Sequence, residues 1–171
     1  MTRTGNAAGV ERFSLSGRIV LVTGATRGLG LAIAGGMAAA GAVVGINGRD
    51  AERAREIAKS IPNAFAAPFD ITDLDAATAV IDEIVARHGR LDCLVNNAAV
   101  RDRRALDDIT PDDFRRLVET NLVAQYALSR VAVRHMAASG GGRLLFISSM
   151  VGPQSFRAIR PMSRPRAGSR R

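Results

Sequence analysis

Residues 19–30 read Ile-Val-Leu-Val-Thr-Gly-Ala-Thr-Arg-Gly-Leu-Gly, a β-rich apolar run that leads into a glycine-rich turn and then a helical pattern. Glycines permit a tight turn and let backbone N–H groups come close to a pyrophosphate at the positive end of a helix. The spacing Gly24-x-x-x-Gly28-x-Gly30 differs from the commonest dinucleotide fingerprint, and a purely structural turn is the alternative. Because a strand precedes the turn and a helix follows it, the sequence favours phosphate binding here.

The same alternation of strand and helix continues along the chain. Apolar, β-rich runs predict strands at 19–22, 42–46, 64–67, 91–95 and 143–147. Helical periodicity lies between them, at 28–40, 50–60, 73–88 and 111–138. This alternation predicts an α/β fold, a doubly wound parallel sheet with helices on both faces. Ligands of such sheets bind beyond the carboxyl ends of the strands, near the point where strand order reverses.

The predicted helix over 111–138 has a clear start and one apolar stripe. Thr110 is expected to cap it, with Pro111 at its first position. Steps of three and four residues connect five apolar side chains, namely Phe114, Leu117, Val118, Leu122 and Tyr126. We predict that this stripe is a buried face.

Composition favours one folded domain with an apolar core. The chain has 171 residues, 47% of them hydrophobic, with no apolar run typical of a membrane span or a signal peptide. We predict a folded domain over 13–156, a loose leader over 1–12 and a basic tail over 157–171. The single cysteine, Cys93, lies in an apolar run, so we expect a buried thiol in a cytoplasmic protein without disulfides. We predict no metal site and no membrane partner.

The net charge of +8 has a local origin. Residues 157–171 hold six arginines and no acid, which leaves +2 for the rest of the chain. A basic tail can bind phosphate backbones without specificity, so nucleic-acid association is a distant alternative. We predict no specific nucleic-acid partner.

The end of the second strand bears on the choice between NAD and NADP. Enzymes that use NAD usually place a carboxylate there for the ribose hydroxyls, whereas an arginine suits a 2′-phosphate. This strand ends in Asn47 without an acid, Arg49 follows it, and Arg27 lies in the glycine turn. We therefore predict NADP rather than NAD, held by two guanidinium groups. The alternative is a solvated Arg49, with Asp50 merely capping the next helix.

Several motifs occur together and in order between about residue 13 and residue 156. They are the glycine turn, Asp70 in Phe-Asp-Ile-Thr-Asp, Asn96-Asn97-Ala98-Ala99, Asn121 in the long helix, and Ser148-Ser149 after the fifth strand. In this set the chain resembles the short-chain dehydrogenases/reductases. The resemblance implies a Rossmann-type sheet of which strands one to five are present, and hydride transfer between a nicotinamide cofactor and a ketone or secondary alcohol.

The resemblance also implies roles for single residues in cofactor binding. Contacts to the dinucleotide are expected from the glycine turn, through Gly24, Thr26, Arg27, Gly28, Leu29 and Gly30. Asp70 would accept a hydrogen bond from the adenine amino group, with Ile71 packing beside it. Asn96 to Ala98 would line the adenosine ribose and steady the central strand, and Ala99 stands where the family has glycine. A simple turn-capping role is the alternative for Asp70.

Two further residues are implied near the reacting atoms. Asn121 would hold a local kink in its helix and a water on the proton-relay path. The alternative for Asn121 is an ordinary polar residue on the solvent side. Ser149 would hydrogen-bond the oxygen of the substrate, and Ser148 is the weaker candidate for that role.

The sequence departs from the family at its proton donor. A tyrosine is expected at position 162 and a lysine at 166, but the chain has Met162 and Arg166. Methionine carries no exchangeable proton and arginine does not readily release one. The single tyrosine, Tyr126, is expected on a buried helix face and cannot substitute. Loss of a positioned proton donor costs on the order of 10²–10⁴ in rate, so we predict an inactive chain.

A one-base frameshift near residues 157–161 explains this departure. Codons permitted for Pro161 to Arg170 include CCT ATG TCG CGT CCA AGG GCG GGG TCG AGG. From the T of the first codon, the same bases encode Tyr-Val-Ala-Ser-Lys-Gly-Gly-Val-Glu, which contains the Tyr-x-x-x-Lys segment of the family. An arginine-rich chain is typical of a GC-rich gene, in which these codons are common. Sequencing of the gene decides the hypothesis.

The resemblance has structural and substrate consequences. The fifth strand would be an exposed edge, and the long helix would lack a neighbour with which it forms the homo-oligomer interface of the family, so we expect poor solubility. Arg101, Arg103 and Arg104 follow the fourth strand and would attract an anionic substrate, as in gluconate 5-dehydrogenase-like or 3-oxoacyl-carrier-protein reductase-like members. Solvated loop charge is the alternative for these arginines. A dinucleotide-binding protein without catalysis is the alternative function.

Overall fold

The computed structural model describes residues 13–148. Five parallel strands form one sheet in the order β3-β2-β1-β4-β5. They are β1 (Ile19–Val22), β2 (Val43–Ile46), β3 (Ala64–Ala66), β4 (Cys93–Asn96) and β5 (Arg143–Phe146). The order reverses between β1 and β4, as a doubly wound sheet requires. The predicted fold class is confirmed.

Helices connect the strands and cover both faces of the sheet. They are α1 (Gly28–Ala39), α2 (Ala51–Ser60), α3 (Leu74–His88), α4 (Pro111–Val118) and α5 (Ala124–Ala138). A short 3₁₀ turn (Leu106–Asp108) precedes α4, and a π-helical turn (Glu119–Val123) joins α4 to α5. Each predicted strand and helix is present within two residues of its expected bounds, with the long helix interrupted by the π-helical turn.

Alternate residues of the strands feed two apolar cores. In β1, Ile19 and Leu21 pack with α3 and α5, while Val20 and Val22 pack against the α1 side. All four residues of β1 and of β4 are buried, as expected for strands covered on both faces. Within the described residues, no helix has the length and apolarity needed to cross a membrane.

The apolar stripe on the long helix is not the buried face, so that prediction was wrong. Exposed fractions are 61% for Phe114, 66% for Leu122 and 62% for Tyr126, while Leu117 and Val118 are half-buried. The helix buries a different face, formed by Ala124, Leu128, Val131, Ala132 and Met136. Periodicity identifies residues that share a face, and this helix has two apolar faces. Only one of them meets the sheet.

The last strand differs from the others in its surroundings. Strand β5 lies at the edge of the described sheet, as predicted, and pairs with β4 alone. Of its four residues only Leu144 is half-buried, and the other three are exposed. Ile147 follows as a further exposed apolar residue.

Candidate cofactor-binding site

A cavity of about 780 Å³ lies beyond the carboxyl ends of β1, β2 and β4. This is the edge of the sheet at which doubly wound folds bind ligands. Ten of the predicted site residues line it, namely Gly24, Thr26, Arg27, Gly28, Leu29, Gly30, Arg49, Asp70, Ile71 and Ala98. The fold therefore gathers residues from four separate segments of the chain around one opening.

The three glycines of the turn serve two different purposes. A Cβ at Gly30 would lie 2.3 Å from the carbonyl oxygen of Gly24, and a Cβ at Gly24 would lie 3.0 Å from the Cα of Ala98. These two glycines allow α1, the turn and the end of β4 to pack closely. Gly28 has φ +56° and no atom near the position of a Cβ. Its backbone is therefore open to a ligand in the cavity.

The N-terminus of α1 has no side-chain cap within the described residues. Arg27 precedes the helix with φ −163° and makes no side-chain cap, and the first turn contains no acid. By contrast, Asp50 caps α2, Asp73 caps α3 and Thr110 caps α4 through their side-chain oxygens. The first N–H groups of a helix need acceptors from outside it. At α1 these groups border the cavity, where an anion would satisfy them.

Thr23 fastens the glycine turn to the end of β4, a role that sequence reasoning missed. Its buried hydroxyl donates to the Val95 carbonyl (3.1 Å) and accepts from the backbone N–H of Asn97 (2.9 Å) and of Ala98 (3.0 Å). The Asn97 side chain returns the contact by donating to the carbonyl oxygens of Thr23 (2.8 Å) and Gly24 (3.2 Å). A threonine directly after a buried strand was the available signal.

Asn47 at the end of β2 is a structural residue. Its buried Oδ1 accepts from the N–H of Gly24 (3.2 Å), and its Nδ2 donates to the carbonyls of Ala67 and Phe69 (3.1 Å each). The side chain thus joins the glycine turn to the segment after β3. The sequence showed that no acid ends β2, but it did not show this role for the asparagine.

Three guanidinium groups line the cavity near α2. Arg27 and Arg49 were predicted, and Arg53 was missed because it lies one helical turn away from the strand end. Arg49 Nη1 lies 3.8 Å from Asp70 Oδ2, with both side chains accessible to solvent. The Asp50 side chain accepts from the N–H of Arg53 (3.0 Å), so the capping role suggested for Asp50 is correct.

Asp70 holds a turn and also borders the cavity. Its Oδ1 accepts from the N–H (2.9 Å) and the hydroxyl (2.8 Å) of Thr72. The hydrogen bond from the Thr72 backbone, then its hydroxyl and the charge of Arg49, lower the pKa of Asp70. The carboxylate is therefore ionised at neutral pH, with Oδ1 used by the turn and Oδ2 directed towards Arg49. The alternative role, in which Asp70 holds a turn, is correct for Oδ1. The other oxygen, Oδ2, remains accessible to a ligand.

Asn96 does not line the cavity. Its side chain is fully buried, and Nδ2 donates to the hydroxyl of Ser129 (3.0 Å), which donates in turn to the Gln125 carbonyl (2.7 Å). This placement joins β4 to α5 and agrees with the predicted support of the central strand. The predicted contact with a ribose has no counterpart in the position of this side chain.

Asn121 lies in the π-helical turn, at the point where a local irregularity was predicted. Its Oδ1 accepts from the N–H of Val100 and its Nδ2 donates to the carbonyl of Val100, both at 2.8 Å. One turn later, the Gln125 side chain donates to the carbonyl of Ala98 (2.9 Å). The helix is thereby tied to the segment after β4. The contact of Asn121 with a water stays a prediction.

The family model for the short chain dehydrogenases matches residues 18–161, which is most of the chain and all five strands. The chain belongs to the short chain dehydrogenase family.

Individual family members agree with this assignment over the same part of the chain. The gluconate 5-dehydrogenase of Gluconobacter oxydans is 38% identical over 144 residues, which cover 82% of this chain and 56% of that protein. A solved gluconate 5-dehydrogenase from Burkholderia cenocepacia J2315, in complex with NADP and tartrate, is 40% identical with a TM-score of 0.78 and covers 82% of this chain and 57% of that one. A 7α-hydroxysteroid dehydrogenase complexed with NADH has 34% identity and a TM-score of 0.77, with coverages of 82% and 56%. The chain thus spans little more than half the length of the relatives it matches.

The arginines after β4 are not equivalent in this short chain dehydrogenase. Arg104 is held by Asp102 (Nε to Oδ2, 3.0 Å), by the Asp108 carbonyl (3.1 Å) and by Asp113 (Nη2 to Oδ2, 2.9 Å). Arg101 and Arg103 are exposed and make no ion pair with any residue in the described range. Of these three arginines, Arg101 and Arg103 are thus the two that no carboxylate in the described range neutralises.

The remaining predicted positions lie at the end of the family match. Ser148 is exposed and follows β5. Ser149, Met162 and Arg166 lie outside the described residues, so their predicted roles stay predictions.

Proposed function

We propose that this short chain dehydrogenase binds NADP in the 780 Å³ cavity and derives from an oxidoreductase for ketones or secondary alcohols. One observation carries the proposal. In the described range, α1 is the one α-helix that begins directly after a loop and has no side-chain cap. It begins at the wall of a cavity that three arginines also line. That combination suits a ligand with a pyrophosphate and a further phosphate.

Each part of the cavity has a chemical task in this proposal. The open backbone at Gly28 and the free N–H groups of α1 hold the pyrophosphate. Asp70 Oδ2 accepts a hydrogen bond from the adenine amino group, while Oδ1 keeps its turn. When bound, the nicotinamide ring supplies or accepts a hydride. Asn121 positions the segment after β4 through Val100 and so fixes the wall beside the reacting atoms.

The preference for NADP rests on the residues near the end of β2. A ribose with free hydroxyls is best recognised by a carboxylate, but the side chain at that position is Asn47, which is buried and engaged elsewhere. Arg49 is exposed and lines the cavity, as do Arg27 and Arg53, of which Arg53 also pairs with Glu56 (Nη1 to Oε2, 2.6 Å). Planar guanidinium groups bind phosphate oxygens bidentately. These contacts support NADP over NAD.

Inactivity of the chain as written is part of the proposal. Position 162 is methionine and position 166 is arginine, so the proton donor and its partner are absent from the places where the family has them. The family match ends at residue 161, directly before this departure. A frameshift close to that point accounts for both facts. The alternative function, dinucleotide binding without catalysis, is favoured by the same two residues.

The substrate proposed for the ancestral or frame-corrected enzyme is an anion such as a sugar acid. Arg101 and Arg103 lie after β4, next to residues that line the cavity, and neither is neutralised by a carboxylate in the described range. Two relatives act on gluconate or carry its name, which agrees with this charge.

Titration with reduced nucleotides tests the binding step. We expect saturable enhancement of NADPH fluorescence and weaker binding of NADH. Arg49→Gln should weaken NADPH binding roughly tenfold and change NADH binding little, because one charge-assisted contact to the 2′-phosphate is lost. Arg55→Gln is the matched control, since Arg55 lies on the neighbouring helix α2, does not line the cavity and pairs with Glu52. Absence of binding by both nucleotides would refute the proposal.

Sequencing of the gene, followed by assay of a frame-corrected chain, tests the catalytic step. We expect nucleotide binding but no turnover from the chain as written, and turnover after correction. An intact reading frame at codons 157–161 would remove the frameshift hypothesis. Turnover by the unaltered chain would contradict the proposed inactivity.

A further inference from the structure

A second cavity, of about 600 Å³, lies at the opposite edge of the sheet from the cofactor cavity. It borders the amino ends of β1, β4 and β5. The side chains of Arg18, Arg90, Arg143 and Asp92 line it, together with the glycine run 140–142. Its volume suits a small organic ligand. No step in the proposed function uses it.

The charged groups of this cavity do not balance. Asp92 is buried, and its Oδ1 lies 2.9 Å from Arg18 Nη1 and 2.6 Å from Arg90 Nη2. Its Oδ2 accepts from the backbone N–H of Ile19 (2.9 Å). The single carboxylate is therefore fully engaged. Three arginines and this one carboxylate line the cavity, so its lining has an excess of two positive charges.

Hydrogen-bond donors in the same wall lack acceptors. The Nε of Arg90 is buried and has no partner within the described part of the chain. Arg143 makes no ion pair with any residue between 13 and 148. A buried donor without an acceptor is costly and calls for an explanation. Arg143 is exposed and the Arg90 side chain is 39% exposed, so a ligand in the cavity could reach both guanidinium groups.

The glycine run gives backbone access to the cavity. Gly140 and Gly141 have φ +91° and +112°, and no atom lies within 4 Å of a Cβ placed on either. The chain therefore lines the wall there with bare backbone, beside the first residue of β5. A ligand held by Arg90 and Arg143 would meet no side chain on that flank.

We propose that this second cavity binds a small oxyanion ligand, with a carboxylate or phosphate group held between Arg90 and Arg143. A guanidinium fork binds either group through paired hydrogen bonds. Asp92 keeps Arg18 and Arg90 in place, and the excess positive charge of the arginines disfavours cations in the cavity. The site is independent of the proposed NADP site, because the two cavities share no residue.

Cys93 provides a local reporter for the test. It is the single cysteine of the chain, and it lines the second cavity and not the first. Burial raises the pKa of its thiol to about 11, while the charge of Arg143 opposes that rise. An anion bound at Arg143 would cover the thiol and cancel the nearby positive charge. Both effects slow its alkylation.

The experiment measures the rate of maleimide modification of Cys93 in the full chain, at constant ionic strength maintained with chloride. Inorganic phosphate and citrate are the two probes. We expect at least one of them to slow modification several-fold with saturation. Arg143→Gln should abolish this protection, and since Arg143 is exposed the variant is expected to fold. Arg130→Gln, an exposed arginine that lines neither cavity, is the charge-matched control and should keep the protection.

The outcomes separate the sources of the oxyanion and the two cavities. Protection by phosphate alone identifies a phosphate ligand, and protection by citrate alone identifies a carboxylate ligand. Protection that is lost in Arg49→Gln but kept in Arg143→Gln would place the anion in the cofactor cavity and overturn the proposal. Absence of saturable protection by either probe, or equal protection in Arg143→Gln, would also overturn it.

Discussion

Strands β1 and β5 belong to one sheet but differ in what covers them. Every residue of β1 is buried between two helical layers, whereas three of the four residues of β5 are exposed. The cofactor cavity lies mainly on the covered side, at the ends of β1, β2 and β4. The exposed side carries Ser148 and leads to the positions where the family has its proton donor. In the proposed function, nucleotide binding and catalysis therefore depend on different parts of this sheet.

Because of this difference between the covered strands and β5, the proposed nucleotide binding can persist where catalysis is lost. The glycine turn, the Thr23 hydrogen bonds and the Asn47 bridge are complete within the described residues and depend only on β1, β2, β3 and β4. The proposed catalytic step needs residues beyond β5. A chain with an intact binding half and an altered catalytic segment should bind nucleotide without turning over substrate. The variants below test whether the half of the sheet built on β1 to β4 is stable and binds nucleotide.

The largest effect on nucleotide binding is expected at the tightest contact of the binding half. In Gly30→Ala the new Cβ would lie 2.3 Å from the Gly24 carbonyl, so α1 or the turn must shift. Overpacking of this kind costs about 1–3 kcal/mol, and here it should also remove nucleotide binding. Urea denaturation and NADPH titration measure the two losses.

A matched glycine on the same helix is the control. Gly35 has no atom within 4 Å of a Cβ position, and it lies in the helix interior. Gly35→Ala should stabilise the protein by ~0.5–1 kcal/mol, because alanine loses less backbone freedom on folding. Equal destabilisation by the two changes would show that the close packing at Gly30 is not decisive.

The second prediction compares the two apolar faces of the long helix. Leu128 is fully buried against the sheet, and Leu128→Ala should cost about 2–5 kcal/mol in the free energy of unfolding. Leu122 lies on the exposed stripe, and Leu122→Ala should change it by less than about 0.5 kcal/mol. Chemical denaturation of both variants makes the comparison. A large loss in Leu122→Ala would show that the stripe is covered in solution.

The same helix shows what sequence reasoning could and could not predict. Strand and helix positions followed from apolar periodicity and turn residues, because those patterns depend on local geometry. Burial of Phe114, Leu122 and Tyr126 could not follow, since periodicity does not say which neighbour covers a face. The glycine turn was found by its residue types. The roles of Thr23 and Asn47 depend on contacts between segments that are distant in sequence. A threonine directly after a buried strand marks the position of Thr23, but no local pattern reveals the partners of either residue.

The third prediction concerns the joint between β1 and β4 at the cofactor edge. In Thr23→Val the backbone N–H groups of Asn97 and Ala98 lose their shared acceptor. A buried donor left without a partner costs about 1–3 kcal/mol. Thr23→Ser keeps the hydroxyl and should retain most of the stability. Thermal unfolding of both variants measures the difference. Equal stability of the two would argue that the Thr23 hydroxyl does not hold β1 and β4 together.

The smallest effect is expected at the opposite edge of the same joint, and its size depends on pH. Burial of Asp92 raises the pKa of its carboxyl. The hydrogen bond from Ile19 and the contacts with Arg18 and Arg90 lower that pKa by more than burial raises it, so the folded-state pKa lies below that of the unfolded chain. The unfolded chain therefore binds the proton more tightly. The stabilisation is fully present above the unfolded value, near pH ~4, and is lost as pH falls through the folded value. Asp92→Asn should lower the free energy of unfolding at pH 7. It should also make the decline of that free energy below pH ~4 less steep. Asp75→Asn, at an exposed position in the first turn of α3, should follow the unaltered chain in urea denaturation at each pH. If the free energy of unfolding of Asp92→Asn declined as steeply in acid as that of the unaltered chain, Asp92 would not be the source of the decline. The stability of the β1–β4 joint would then depend on the contacts at the cofactor edge alone.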